Sequence, residues 1–303
     1  MALSIGIVGL PNVGKSTLFN ALTKKTVPAE NYPFCTIDPS VGIVPVPDER
    51  LNKLTLFSKS AKTIPAVVQF VDIAGLVKGA SEGEGLGNQF LSHIRETDAI
   101  VEVVRIFEDP NVIHVDGSID PLRDIEIINT ELLFADRDTV TKRLSNVGRD
   151  AKRGDKEAIK EEILLQKALG CIERGNLLSN ESYTEDEQKI LKQLNLLTAK
   201  PFLYALNKKA GAKNLDEIAG DTRYGKLLEF LKSKGGSRYV IIDAKVEDEL
   251  KDFVGEERET FRKELNGGSD DGIGELIRTS YALLNLMTYF TTGEDETRAW
   301  TVR

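Results

Sequence analysis

The sequence predicts an α/β fold organised around a phosphate-binding loop, on three observations. First, an apolar β-type run, Leu3 to Val8, is followed by GLPNVGKST (Gly9 to Thr17) and then by the helix-type segment Leu18 to Thr23. Second, a further strand-type run, AVVQFV (Ala66 to Val71), ends directly in DIAG, Asp72 to Gly75. Third, more strand-type runs (AIVEVV within Asp98–Ile106, PFLYALN from Pro201, and Tyr239–Asp243) alternate with segments of helical periodicity. Strands alternating with helices in this way build a mostly parallel sheet.

The first stretch carries the chemistry. Two glycines spaced five apart, then Lys-Ser, is the P-loop pattern in its strand–loop–helix context. The backbone N–H groups of Asn12, Val13, Gly14, Lys15, Ser16 and Thr17 can line a concave nest at a helix start, where the dipole favours anions. Lys15 then reaches the β- and γ-phosphates, and the Ser16 hydroxyl ligates Mg²⁺. In the same class of site an Asp directly after a strand holds Mg²⁺ through water, which points to Asp72, and the Gly75 N–H reaches the γ-phosphate. Thr36 lies in a long loop with three prolines, Thr23 to Gly42, where switch proteins keep their first switch. It is either a ligand that closes over Mg²⁺ or an ordinary turn threonine. The glycine-rich segment after DIAG, Leu76 to Phe90, is expected to act as a second switch ahead of a helix, Gln89 to Arg95.

Composition bounds the rest. A chain of 303 residues is long enough for one large or two modest domains. A formal net charge of −8 argues against a polyanion-coating protein, and no sequence-specific DNA binding is expected. Two cysteines, Cys35 and Cys171, make neither a disulfide framework nor a metal cluster and fit a reducing cytoplasm. No apolar run approaches the roughly 18 residues of a membrane span, and the N-terminal apolar stretch lacks the basic flank of a signal peptide.

Beyond the polar loop Phe107–Pro121, which carries His114, the period changes. Ile125, Ile128 and Leu132 share one helical stripe, and helix propensity persists to about Asp150. Gly154-Asp155 interrupts it, and a second helix follows from about Lys156 to Arg174. The pair reads as an antiparallel hairpin with an arm of roughly 40 Å. A third helix starts at Thr184, with Glu187 completing a capping box and Ile190, Leu191, Leu194 and Leu197 turned inward. After PFLYALN, helix is expected at about Leu215–Gly220 and Lys226–Lys234, then near Val246–Asn266 and Gly274–Leu286. The tail, LMTYFTTGEDETRAWTVR, reads as a hairpin that either leans on the main domain or begins a further one. Asn207 closes its strand where this fold class reads a base.

Several stretches together resemble the Obg-like ATPases, the YchF family. They are GLPNVGKSTLFNALT, ENYPFCTIDPSVGIVPVPDERL, VDIAGLVKGASEGEGLGNQFLSHIRETDAI, the HVDGSIDP loop and LMTYFTTGEDETRAWTV. The resemblance implies a Ras-like nucleotide domain (residues 1–125 and 200–282), an inserted α-helical hairpin (126–199) and the start of a β-rich TGS module (283–303). It implies ATP as nucleotide, a ribosome or translation component as partner, and His114 as the group that positions water. The last matters because Leu76 stands where Ras-type enzymes place a glutamine. Related switch GTPases hold K⁺ with an asparagine near Asn12, which alternatively only shapes the loop.

Two positions depart from the pattern. GTPases carry N-K-x-D after the fifth strand and the Obg-like ATPases resemble N-x-x-E, whereas here Asn207-Lys208-Lys209-Ala210 places Ala210 at the acidic position. Asp243 precedes Ala244 where relatives have a small residue. Asn207, Lys208 and Ala244 remain the base-side candidates. An Mg²⁺-dependent, slow ATP-hydrolysing switch is the leading expectation. An Obg-type GTPase and a nucleotide-gated binding module are the alternatives.

Overall fold

A computed structural model describes residues 3–23, 40–73, 86–110, 112, 118–233, 238–253, 255–265 and 272–303. Its centre is a six-stranded sheet. The strands are β1 (Ser4–Val8), β2 (Val41–Pro45), β4 (Val67–Asp72), β5 (Ala99–Arg105), β7 (Phe202–Asn207) and β9 (Arg238–Ile242), in the order β2-β4-β1-β5-β7-β9. Only β2 runs antiparallel; Val41 faces Val71 and Val44 faces Val68 across it. The rest are parallel, with Ile5 between Phe70 and Ala99. Every residue of β5 and β7 is buried. Such continuously buried runs, apolar but for Glu102, Arg105 and Asn207, belong to strands covered on both faces, as the connecting helices require.

Helix α1 (Lys15–Thr23) packs on β1, β2 and β4, and against α8 (Ala244–Glu249). Helix α3 (Leu86–Arg95) leads into β5, and α10 (Gly272–Leu283) packs on β7 and β9. Residues 47–65, to which the sequence pattern assigns no element, form α2 (Glu49–Ser58) and the short strand β3 (Lys62–Ile64). Asp48 caps α2 through Arg50 N–H.

The predicted hairpin of long helices is present. Helix α4 (Pro121–Ala151) has Asp120 as its cap and Pro121 in its first turn. With 31 residues it is about 46 Å long. It turns over at Gly154, and α5 (Lys156–Glu173) returns along it under an Asp155 cap. Arg143 grips Glu161 across the pair with two bonds of 2.6 and 2.8 Å. The base of α4 packs on β5 and on α7 (Thr222–Ser233). Helix α6 (Glu185–Gln193) has the expected capping box between Thr184 and Glu187.

Four expectations need correction. Helix α3 begins three residues before Gln89. Leu194 and Leu197 lie outside α6, which ends at Gln193; Leu194 is its C-cap, and Asn195, at a left-handed φ of 48°, turns the chain before Leu197. The stretch Leu215–Gly220 is one 3₁₀ turn, Leu215–Glu217, ended before Gly220 at φ 74°. The single helix expected at Val246–Asn266 is two: α8 and α9 (Gly255–Glu264). Phe253 is extended between them and lays its ring 4.3 Å from that of Phe261.

The tail forms the predicted hairpin, β10 (Met287–Thr292) and β11 (Glu296–Val302), and it leans on the main body. Strand β11 pairs in parallel with β3, and the Arg50 guanidinium lies 5.1 Å from the Phe290 ring centre. Two strands gain here the third that they need for stability. Two further short strands, β6 (Phe107–Glu108) and β8 (Lys213–Asn214), pair antiparallel beyond the ends of β5 and β7. Among the described residues no helix is long and apolar enough to cross a membrane.

One buried carboxylate closes the return from the helical insertion. Asp136 of α4 is wholly buried and accepts from Leu197 N–H (2.9 Å), Thr198 N–H (2.7 Å) and the Thr198 hydroxyl (2.7 Å). Lys200 then donates to the carbonyls of Arg95 and Thr97. Asp136→Ala strands three buried donors, so it is expected to cost about 3 kcal/mol of unfolding free energy. Urea denaturation read by circular dichroism checks this; an unchanged midpoint refutes it.

Candidate nucleotide site

The loop between β1 and α1 departs from ordinary backbone at three points. Gly9, Asn12 and Gly14 have φ of 155°, 62° and 102°. Gly9 passes so close to β5 that a Cβ there would sit 2.7 Å from the Val103 carbonyl. A Cβ on Gly14 would run into the Asn207 side-chain amide. Both glycines are therefore demanded by close approach as well as by conformation.

Asn207 ties the site together. It ends β7 and is 4% exposed. Its Nδ2 donates to the Val13 carbonyl (2.8 Å), and its Oδ1 accepts from Ala244 N–H (3.0 Å). Only one orientation of the amide satisfies both. Its own carbonyl accepts from Ile106 N–H at 2.9 Å. One residue thus joins the phosphate loop and the start of α8 through its side chain, and the turn after β5 through its main chain.

Lys15 is buried, and its Nζ donates to the Leu10 carbonyl at 2.8 Å. Burial pulls its ammonium down to about 8, and the field of Asp72 pushes it back up. Asp72, half-buried at the end of β4, has its carboxyl raised by burial and lowered by Lys15. Ser16 is exposed in the first turn of α1. The donor set of Ser16 hydroxyl and Asp72 carboxylate suits Mg²⁺, which takes one or two protein oxygens and completes its shell with water and phosphate. Groups of three or more His, Cys, Asp and Glu that could hold a metal alone are absent among the described residues.

Beside the loop lies a pocket of about 270 Å³. Asn12, Gly14, Thr17, Asn207, Lys208 and Ala244 line it, six residues singled out by the sequence. Phe107, Val112, Lys209 and Lys245 also line it and were missed. Lys209 and Lys245 were legible only as neighbours of candidates; Phe107 opens the short strand β6 and Val112 follows it, and no motif marks either. Val13 contributes its carbonyl, with its side chain in the core. Thr36, Gly75, Leu76 and His114 lie outside the described residues. A larger groove, near 1010 Å³, runs between α2, α10 and β10 and shares no residue with this site.

The two departures in the sequence meet here. The Asp243 Oδ1 accepts from Lys245 and Val246 N–H, capping α8, while its Oδ2 accepts from Ala210 N–H. Asn214 shapes the loop between, accepting from Lys209 N–H (3.0 Å) and donating to the Lys209 carbonyl (3.1 Å) and Glu217 (3.2 Å).

A Bacillus subtilis protein named ribosome-binding ATPase YchF is 50% identical over all of this chain and 82% of its own length. A relative of the same name from Escherichia coli O157:H7 is 48% identical, again over all of this chain and 81% of its own. The chain belongs to the YchF family. A solved structure described as the Schizosaccharomyces pombe YchF GTPase superposes with a TM-score of 0.83 at 39% identity, over 99% of this chain and 80% of that one. Residues 4–141 also match the family model described as 50S ribosome-binding GTPase. The YchF names thus divide between ATPase and GTPase.

The Lys15 geometry predicts a pH dependence. A polyphosphate gripped by Lys15 favours its charged form, so binding takes up a proton when pH exceeds about 8. Affinity for Mg²⁺-tripolyphosphate should be flat below pH 7 and weaken by up to about tenfold per unit above pH 8. Calorimetric titration in buffers of differing ionisation enthalpy reads the proton uptake; a flat profile to pH 9.5 refutes it.

Proposed function

We propose that this YchF chain is an ATP-binding and ATP-hydrolysing switch that works with Mg²⁺ in the cytoplasm and has the ribosome or another translation component as its partner. The names of the bacterial relatives support the partner and the nucleotide class. The preference for ATP rests on one observation: the described carboxylates beside the base pocket are already engaged, Glu217 by Lys208 (3.7 Å) and by the Asn214 amide (3.2 Å). Asp243 holds three backbone N–H groups, and Asp109 pairs with Lys209. Guanine presents N1–H and N2–H donors that a carboxylate normally accepts. Without an acceptor they are desolvated unpaired, a cost that adenine escapes.

In this reading Lys15 leaves the Leu10 carbonyl for the β- and γ-phosphates, and the backbone N–H groups from Asn12 to Thr17 cradle them. Ser16 and Asp72 hold Mg²⁺, Thr36 closes over it, and the Gly75 N–H reaches the γ-phosphate. The ion neutralises charge on the phosphates. Asn12, in its left-handed conformation, is the candidate for K⁺. Leu76 has no group to orient water, so His114 takes that role, and turnover without a partner is slow, of the order of 10⁻⁴ to 10⁻² s⁻¹.

Competition titration of ATP against GTP tests the base. ATP is expected to bind at least about tenfold tighter, or 1.4 kcal/mol; tighter GTP would overturn the assignment and favour the GTPase description given to the fission yeast relative. For hydrolysis, His114→Ala should reduce single-turnover rate by about 10²-fold while ATP affinity stays within about twofold. A variant that hydrolyses ATP at the parental rate removes His114 from the mechanism.

A further inference from the structure

Arg105 ends β5 and is 1% exposed. A buried guanidinium is costly unless its donors are used. Here Nε donates to the Phe107 carbonyl (3.0 Å), Nη1 to the Val112 carbonyl (3.1 Å) and Nη2 to the Asp109 carbonyl (3.3 Å). The guanidinium carbon also lies 4.5 Å from the Phe107 ring centre. Three carbonyl dipoles of one short turn therefore converge on a single cation, an arrangement that has no reason to persist without it.

That turn is one wall of the nucleotide pocket, through Phe107 and Val112. It is tied to the opposite wall as well. The Asp109 carboxylate pairs with the ammonium of Lys209, which lines the pocket. Strand β6 pairs with β8, Phe107 facing Asn214 and Glu108 facing Lys213. Glu108 further accepts from Arg223 at 2.9 Å. The wall thus has an outer attachment through β6, β8 and Arg223, and an inner one through Arg105 and the Asp109–Lys209 pair.

We propose that Arg105 is a positioning residue for the base side of the nucleotide site, acting through Phe107, Val112 and the Asp109–Lys209 bridge and never touching the nucleotide itself. The inference rests on the reading of this pocket as the base site. It separates two parts of one ligand: the base is gripped by a wall that Arg105 sets, the phosphates by a loop that it does not contact. Lysine cannot replace it, because a single ammonium on a flexible stem cannot span three carbonyls in fork geometry.

The test compares ATP with inorganic tripolyphosphate, both with Mg²⁺, on the full chain. Arg105→Lys should weaken ATP by about tenfold and leave tripolyphosphate within about twofold. The KM for ATP should rise with kcat unchanged. Asp109→Asn, which removes the carboxylate charge facing Lys209 and Arg105 but leaves the main-chain carbonyls on Arg105 in place, should shift ATP in the same direction by a smaller factor, and it decides the matter if Arg105→Lys does not fold. Parental ATP affinity in both variants overturns the proposal, as does an equal loss of ATP and tripolyphosphate, which would mark general damage. If the parental protein binds ATP no more tightly than tripolyphosphate, the base-site reading itself has failed, and the inference falls with it.

Discussion

The site depends on the side-chain amide of Asn207. An amide has one acceptor and one donor end at fixed separation, and here each end has a backbone partner from a different part of the chain, Ala244 and Val13. Burial makes these bonds demanding: an amide held in the core must keep both partners or lose about 1–3 kcal/mol for each group left bare. The phosphate loop therefore cannot shift without disturbing the turn into α8, nor that turn without disturbing the loop. Gly14 is glycine because the amide occupies the space of its Cβ.

Charge around this junction is used locally. Asp243 caps a helix and holds Ala210; Asp109 answers Lys209 across the pocket. Lys15 and Asp72 temper one another at the phosphate end, each shifted mainly by burial. A site arranged in this way offers cations and backbone donors to a ligand, and keeps its carboxylates for itself. Phosphate recognition follows directly from that balance.

Away from the site the same economy anchors the helical insertion. Its length comes from the uninterrupted periodicity of α4, but its direction comes from a few buried polar contacts at its base, Asp136 with Leu197 and Thr198, and Lys200 with the carbonyls after α3. These contacts join the returning chain to α4 and to the start of β5, so the arm meets the sheet at a fixed root. The C-terminal hairpin gains its fixed place differently, by adding to β3 and covering the face of α2 that carries Arg50.

Local rules alone made much of this chain legible. The phosphate loop, the strand before Asp72, the capping box at Thr184, the break at Gly154 and the hairpin at Met287–Val302 all rest on interactions between residues a few positions apart, which sequence spacing encodes. The family resemblance was legible for the same reason, since its motifs are contiguous. What only the tertiary structure decided involves partners that no spacing rule links, or choices between equivalent local outcomes. Asp243 read as an anomaly until Ala210, 33 residues away, was seen to need it. Arg105 had no pattern to mark it, because its three acceptors are main-chain carbonyls and any sequence supplies those. Phe107 and Val112 became pocket residues because strand order sets β5 beside β7, and the wall of a pocket is drawn by that adjacency, which periodicity along one chain does not carry.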